Sequence, residues 1–378
     1  MQTTPQSRIA DRLRLSKLTF EIEGLESALA TLRYEQKLIV DRLETYKYPV
    51  LTLPNELVWE IFLQYIPAYP ARPPLRGDGS PEKLAQICRR WREIAHNTPE
   101  LWRSVHILPH PSNKTLALVN QWMERSRTLP LSIRFWTNNQ DSHAASMIQA
   151  LLAFRSRWEY VALRIPPNDP VIPRIEGNFP KLARISLSLH QGVHFGSLTS
   201  MKLSKAYLWC PIFVEQVDIL PWAQLTTLFL EAVFHDVVSF VLRQTRALVR
   251  CRLSQVDFDD QPMVDTPVRM ALETLIVDFC NPKQSLGAAL LRPLHLPRLK
   301  RLRISDGVTA DPSLRLHTLV SLIDGFGCSL DRLCIISRSL SIEECRAAFP
   351  GIAEVEVATP KMEIDPQVWG HWNRDYDE

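Results

Sequence analysis

The stretch from Leu53 to Trp102 decides how this sequence folds. It opens with LPNELVWEIFLQYIP at residues 53–67 and closes with LAQICRRWREIAHNTPELW at residues 84–102. Pro54 suits the first position of a helix, where a missing N–H leaves no bond unmade. Apolar residues then recur at helical spacing: Leu57, Ile61, Phe62 and Ile66, followed by Leu84, Ile87, Cys88, Trp91, Ile94 and Ala95. The pattern predicts two short amphipathic helices, too small for a stable domain, and therefore a docking module.

At these residues the sequence resembles the F-box family, and it is similar to fungal-type F-box proteins with divergent leucine-rich repeats. The matching positions are Leu53, Pro54, Glu56, Leu57, Ile61, Phe62, Pro67, Leu84, Cys88 to Trp91, Ile94, Ala95, Leu101 and Trp102. One departure is AYPARPPLRGDGSP at residues 68–81, which reads as a loop inserted between the first two helices. Loop closure entropy grows slowly with length, so an insertion is compatible with the fold. The alternative is an ordinary helical pair inside a larger core.

The resemblance implies a substrate-receptor subunit of a Skp–cullin–F-box ubiquitin ligase. Such a subunit holds a Skp-family adaptor, and through it a cullin, while a second domain selects a protein client for ubiquitylation. The predicted adaptor contacts are Leu53, Pro54, Leu57, Ile61, Phe62, Leu84, Ile87 and Trp91. Some of these residues must build the module's own core, and the sequence does not separate the two roles.

Composition limits the class of protein. The chain has 378 residues, 46% hydrophobic and 22% charged, which is ordinary for a soluble globular protein of two or three domains. A net charge of +3 gives no argument for nucleic acid, and neither an 18-residue apolar run nor a secretory signal is visible, so no membrane is expected. Seven scattered cysteines favour reduced thiols in the cytoplasm or nucleus.

Residues 15–46 carry a heptad pattern. Leu15, Ile22, Leu29, Gln36 and Leu43 fall seven apart, and Leu18, Leu25, Leu32, Ile39 and Tyr46 follow them by three. These are the a and d positions of a coiled coil, and charges such as Arg14, Glu21, Glu26, Arg33, Glu35 and Arg42 suit the e and g positions. The pattern predicts either a homodimer, or pairing with another helix, or one amphipathic helix folded back on the chain.

After Trp102 a motif of the form Leu-x-x-Leu-x-Leu returns. Its units are Trp158/Val161/Leu163, Leu182/Ile185/Leu187, Leu198/Met201/Leu203, Leu225/Leu228/Leu230, Leu248/Cys251/Leu253, Leu272/Leu275/Val277, Leu299/Leu302/Ile304, Leu330/Leu333/Ile335 and Ile352/Val355/Val357. Most spacings fall within the 20–29 residues of leucine-rich repeats, although the steps from Leu182 to Leu198 and from Leu299 to Leu330 do not. Residues 102–107 and 129–135 read as earlier strands, joined by a helix near 115–126.

The fold class predicted is therefore α/β: an N-terminal amphipathic or coiled-coil helix, a small all-α F-box, and an irregular leucine-rich-repeat solenoid with a parallel sheet. The predicted boundaries are 1–48 for the heptad helix, 49–107 for the F-box with its inserted loop 68–81, 108–358 for the repeats, and 359–378 for a tail. The two tryptophans of the tail, Trp369 and Trp372, predict a cap on the solenoid or a short linear motif. A non-repeat α/β domain is the alternative to the solenoid.

Catalytic motifs are scarce. The sequence has no phosphate-binding glycine loop, no G-x-S-x-G elbow and no C-x-x-C pair. His190 and His194 are four apart but stand in a strand-and-turn context, so a polar loop is favoured over a metal site. We therefore expect a non-catalytic protein without metal or cofactor. A leucine-rich-repeat scaffold or binding protein without a ligase role is the alternative function.

Bases dominate one side of the predicted strands. The residues between and beside the inward leucines form the concave surface of such a repeat, and on this register they include Arg164, Arg184, Lys202, Arg250, Arg252, Arg301, Arg303 and Arg332. Only Glu231 and Asp278 are acids in the same interval, and Glu354 and Glu356 take these positions in the last unit. Because arginine binds carboxylate and phosphate with two hydrogen bonds, this surface is predicted to bind an acidic or phosphorylated client segment. The alternative is a solvated surface with arginine stems covering apolar groups.

Overall fold

The computed structural model shows an α/β chain with an N-terminal helix, a group of short helices and a long parallel sheet. It describes residues 5–45, 52–109, 111–137, 143–165, 172–188, 195–209, 219–257, 268–278, 287–309 and 311–359. The chain forms two compact units, residues 1–58 and 59–378. No helix within the described ranges is both long and apolar enough to cross a membrane.

The helices predicted near residues 15–46, 53–67 and 115–126 are present, whereas the single helix predicted from residue 84 onward is wrong, because the extended backbone of Cys88 divides it into two. The helices are α1 (Pro5–Thr45), α2 (Asn55–Tyr65), α3 (Pro81–Ile87), α4 (Arg89–His96), α5 (Asn113–Arg125), α6 (Ala144–Leu152), α7 (His235–Gln244), α8 (Gly287–Leu291), α9 (Arg315–Phe326) and α10 (Ile342–Ala348). Local capping explains where the short ones begin. Ser80 Oγ accepts a hydrogen bond from the Glu82 N–H with Pro81 at the first helical position, and Cys88 Sγ accepts one from the Trp91 N–H.

Helix α1 is one continuous helix of 41 residues. The apolar residues of its heptad seam are exposed along its length, including Leu18, Leu25 and Leu32. The helix predicted for residues 15–46 is thus confirmed up to Thr45, while Tyr46 lies outside the described residues. Helix α1 belongs to the first unit.

The strands follow the leucine pattern. They are β1 (Ser104–Ile107), β2 (Leu131–Trp136), β3 (Trp158–Arg164), β4 (Ile175–Asn178), β5 (Arg184–Ser188), β6 (Phe195–Thr199), β7 (Lys205–Trp209), β8 (Thr227–Glu231), β9 (Arg250–Ser254), β10 (Val268–Arg269), β11 (Thr274–Asp278), β12 (Leu294–His295), β13 (Arg301–Ser305), β14 (Arg332–Ile336) and β15 (Glu354–Ala358). Eleven of them form one parallel sheet in the order β1-β2-β3-β5-β7-β8-β9-β11-β13-β14-β15, which is their order along the chain. Each step adds a neighbouring strand, so no connection crosses another.

Side chains alternate between the two faces of this sheet because successive residues of a strand point to opposite sides. On the leucine face, two buried residues from each strand of the main sheet except β15 form the core; Leu228 and Leu230 of β8 and Leu302 and Ile304 of β13 are wholly buried. The other face, here called the open face, carries the remaining residues of the same strands. Aligned registers place them in rows that cross the sheet.

One of the predicted strand units has the wrong register. Leu198, Met201 and Leu203 were predicted to form one repeat of the leucine pattern. Leu198 instead belongs to β6, which pairs with β4 in a separate two-stranded sheet. Met201 is 97% exposed in the turn that follows. The strand of the main sheet is β7, whose buried residues Ala206 and Leu208 align with Ile185 and Leu187 of β5.

The inserted loop packs against the first three strands of the sheet. Tyr69 Oη donates a hydrogen bond to Glu159 Oε2 of β3 at 2.5 Å, and the Arg103 guanidinium stacks on the Tyr69 ring at 3.3 Å. Ser132 Oγ of β2 donates to the Pro70 carbonyl at 2.6 Å. These contacts place the loop against β1 to β3.

Candidate functional site

The structure separates the predicted adaptor residues into exposed and buried ones. In the first unit, Pro54 and Leu57 are exposed and Leu53 is half-buried. In the second unit, Ile61 and Ile87 are exposed, whereas Phe62 and Leu84 are buried. Trp91 is half-buried and meets the Phe62 ring edge-on at 5.0 Å. Phe62 and Leu84 are therefore core residues, which corrects their prediction as contacts.

Helix α2 carries apolar residues on two sides. Phe62 and Ile66, one turn apart, are buried, whereas Ile61 and Tyr65, also one turn apart, are 42% and 38% exposed. Trp59 is exposed as well. Sequence analysis did not identify Trp59 and Tyr65 as surface residues, although the presence of two apolar stripes on one short helix is a signal for them.

The short helices share a core with the start of the sheet. Trp102 is wholly buried, donates its indole N–H to the Ala95 carbonyl at 2.8 Å, and meets Trp122 of α5 edge-on at 5.0 Å. Arg125 of α5 lies over the Trp102 ring and pairs with Glu82 of α3 at 2.7 Å. These contacts fix α3 and α4 against the sheet region within the second unit.

On the open face, the first residues of the strands form a row, and most residues of this row are basic. The first-row residues from β5 to β15 are Arg184, Lys205, Thr227, Arg250, Thr274, Arg301, Arg332 and Glu354. The five bases among them are here called the basic row. Neighbouring strands lie about 4.8 Å apart, so Arg184 stands beside Lys205 and Arg301 beside Arg332. Like charges are thus aligned along one edge of the face, with Glu354 at its end.

The pKa of the Lys205 ammonium lies below its ordinary value. Partial burial is the larger cause, and the charges of Arg184 and Arg250 add to it. Both effects disfavour the protonated amine, and an anion bound beside Lys205 would oppose them. The pKa shift therefore has the direction expected where positive charges face each other across strands.

Seven of the eight predicted client residues lie on the sheet's open face. Lys202 does not, because it follows the misassigned unit into the exposed turn before β7, and Lys205 occupies the predicted position instead. The other seven are Arg164, Arg184, Arg250, Arg252, Arg301, Arg303 and Arg332. Sequence reasoning missed Lys205 because the preceding register was slipped.

Several of these arginines are already engaged or buried. Arg252 pairs with Asp278 at 3.2 Å, and Arg332 pairs with Glu354 and Glu356. Arg303 is only 5% exposed in the middle of the face. Within the basic row, Arg250 and Arg301 are the exposed members, and Arg164 at the end of β3 is exposed as well.

The described residues contain five cysteines, all of them free thiols. No group of three His, Cys, Asp or Glu side chains within the described residues is placed to hold a metal ion. His190, His194 and the tail with Trp369 and Trp372 lie outside the described residues.

Comparison with known proteins identifies one region. Residues 50–108 match the F-box-like family. No match was found among curated proteins. The matched region contains α2, α3, α4 and β1, and it includes the inserted loop.

Proposed function

We propose that this protein is a non-catalytic substrate receptor of a Skp–cullin–F-box ubiquitin ligase. F-box domains bind Skp-family adaptors and so join cullin complexes, and residues 50–108 match the F-box-like family. The receptor would act in the cytoplasm or nucleus. The same proposal assigns the parallel sheet to an irregular leucine-rich-repeat domain, since its eleven strands follow one another in chain order with buried leucine-type residues at alternate positions.

The observation that carries the proposal is the second apolar stripe of α2. Phe62 and Ile66 are buried, whereas Ile61 and Tyr65 on the other side of the helix remain exposed, and the Tyr65 hydroxyl accepts a hydrogen bond from the Gly79 N–H at 3.0 Å. Leu57, one turn before Ile61 on the same helix, is also exposed. Exposed large apolar side chains gathered on one helix favour a protein interface over bare solvent.

The test is adaptor recovery by the full chain carrying Leu57→Asp together with Ile61→Asp. Buried interface positions tolerate charge poorly, so adaptor pull-down should fall at least tenfold. The matched control is Met201→Asp with Leu314→Asp, which places the same two charges at exposed apolar side chains far along the sequence. Unchanged recovery by the double variant, with an unchanged unfolding midpoint, would refute adaptor binding through this helix.

The client surface that we propose is the basic row on the open face. Arg250 and Arg301 are exposed, stand on strands separated only by β11, and belong to a row whose only acid is Glu354. Guanidinium groups form paired, charge-assisted hydrogen bonds to carboxylate and phosphate. An acidic or phosphorylated peptide segment running across the strands would place one anionic group beside each base.

Charge reversal tests this surface. The variant Arg250→Glu with Arg301→Glu should keep adaptor binding and lose ubiquitylated clients in affinity purification with a proteasome inhibitor. Its control reverses two exposed bases at the end of α7, Arg243→Glu with Arg246→Glu, so that the net charge is matched. Full client recovery by the first variant would move the client site away from the basic row. Adaptor recovery by the unmodified chain without any ubiquitylated client would favour a scaffold instead.

A further inference from the structure

Helix α1 presents a long apolar seam that is exposed among the described residues. Its heptad positions Leu18, Ile22, Leu25, Leu29 and Leu32 are between 38% and 68% exposed. The described helix spans about 60 Å at the standard rise per residue. An apolar seam sustained over about four heptads is typical of a two-stranded coiled coil, and the question is which helix pairs with it.

The seam is self-complementary when two copies run in opposite directions. If the two-fold axis passes between Ala30 and Thr31, each a position of one copy faces a d position of the other. The facing pairs then match in shape: Leu18 with Leu43, Ile22 with Ile39, and Leu29 with Leu32. Only Gln36, opposite Leu25, is a mismatch, and a single polar a position is a known means of fixing register.

The flanking charges distinguish the two orientations. In a parallel, in-register pair each g residue faces the e residue five positions later on the partner, and the one pair with two charges is Glu21 with Glu26, a repulsion that occurs twice. In the antiparallel pair e faces e and g faces g. Glu26 then faces Arg33, and Glu21 faces Arg42, each twice by symmetry. The antiparallel arrangement therefore replaces two repulsions with four attractions.

We infer that α1 forms an antiparallel homodimer with α1 of a second copy of this chain. This inference is independent of the proposed adaptor and client surfaces, since it rests on residues 14–43 alone. Two copies of the docking module and two sheets would be carried by each dimer.

The orientation can be tested by exchanging one pair of charges in the full-length protein. Glu26→Arg should raise the dimer dissociation constant on the order of tenfold, because it creates two repulsions with Arg33. Arg33→Glu should act likewise through Glu26, and the double variant Glu26→Arg with Arg33→Glu should restore the original affinity. The measurement is sedimentation equilibrium across a dilution series.

A change in the stability of the isolated helix could not explain weaker dimerisation of the single variants. Within the helix, Glu26→Arg gains an attraction to Glu23 and Arg33→Glu gains one to Lys37, so each single variant favours the helix itself. A parallel dimer gives the opposite outcome, since Glu26→Arg then meets Glu21 and tightens the dimer. A monomeric full-length chain at micromolar concentration, or single variants that are not rescued by the double one, would also overturn the inference.

Discussion

Ile61 and Phe62 are neighbours of similar hydropathy, yet one is exposed and the other wholly buried. A helical period predicts which residues share a face, but it does not say which of two apolar faces meets the core. Sequence analysis therefore identified both residues and assigned both to the adaptor. Only the packing of Phe62 against Trp91 separates the roles.

Phe62→Ala and Ile61→Ala should consequently have different effects. Loss of the buried ring should lower the free energy of unfolding by about 3–5 kcal/mol, because the neighbours fill the cavity only in part. Removing the exposed Ile61 side chain should change it by less than about 1 kcal/mol while weakening adaptor binding. Urea denaturation and adaptor titration measure the two quantities, and similar unfolding losses for both variants would contradict this division.

The thiols provide a second test at the scale of single residues. Burial raises the pKa of Cys251 to about 12 and that of Cys334 to about 11. Both therefore stay protonated at pH 8, where only the thiolate reacts. Iodoacetamide should label the half-buried Cys88 ahead of them in the native protein, as read by peptide mass spectrometry, with urea-denatured protein as the control. Rapid native labelling of Cys251 would show that its strand opens readily.

At the scale of elements, the strand order could be predicted because each repeat has apolar residues at two buried positions with a fixed spacing. The failure at Leu198 has a physical reason. Strand β6 pairs with β4 in a small second sheet, and it also buries its leucine. The spacing of leucines therefore does not distinguish a strand of the small sheet from a strand of the main sheet. The correct strand β7 buries Ala206, whose small side chain contributes weakly to an apolar pattern.

Aspartate substitutions distinguish the two registers. Ala206→Asp buries a carboxylate in the leucine core without a partner and should lower the unfolding midpoint by at least 10 °C. Met201→Asp, in the exposed turn, should leave it within about 2 °C. Differential scanning fluorimetry is sufficient, and the reverse ranking would restore the predicted unit Leu198/Met201/Leu203.

At the scale of the whole molecule, contacts between segments that are distant in the chain could not be predicted from the sequence. Periodicity predicts elements, but nothing in residues 68–81 indicates that Tyr69 reaches Glu159 on β3, or that Trp102 packs on Trp122. Burial and the hydrogen bond to Glu159 raise the pKa of Tyr69 above its ordinary value, so this contact keeps its proton throughout the neutral range. The inserted loop is thereby a fixed part of the sheet region.

That loop also occupies an edge of the sheet, and we expect it to protect the protein against aggregation. Strand β1 is an edge of the sheet, and an uncovered edge is a template for strands of other molecules. The Pro73 carbonyl accepts the His106 N–H at 3.0 Å, and Pro74 bridges to His106. Because prolines have no N–H to donate, they occupy the edge without extending it. At the opposite edge, the exposed charges of Glu354 and Glu356 on β15 serve the same end.

Replacing residues 70–75 with a glycine–serine linker of equal length should therefore produce concentration-dependent association, seen as a rising scattering intensity in a chain that keeps its helical and strand content. Pro73→Ala with Pro74→Ala, which keeps the loop, should show a smaller effect in the same direction. If the linker variant stays as dispersed as the original protein, the edge of β1 is harmless and the prolines serve only to shape the loop.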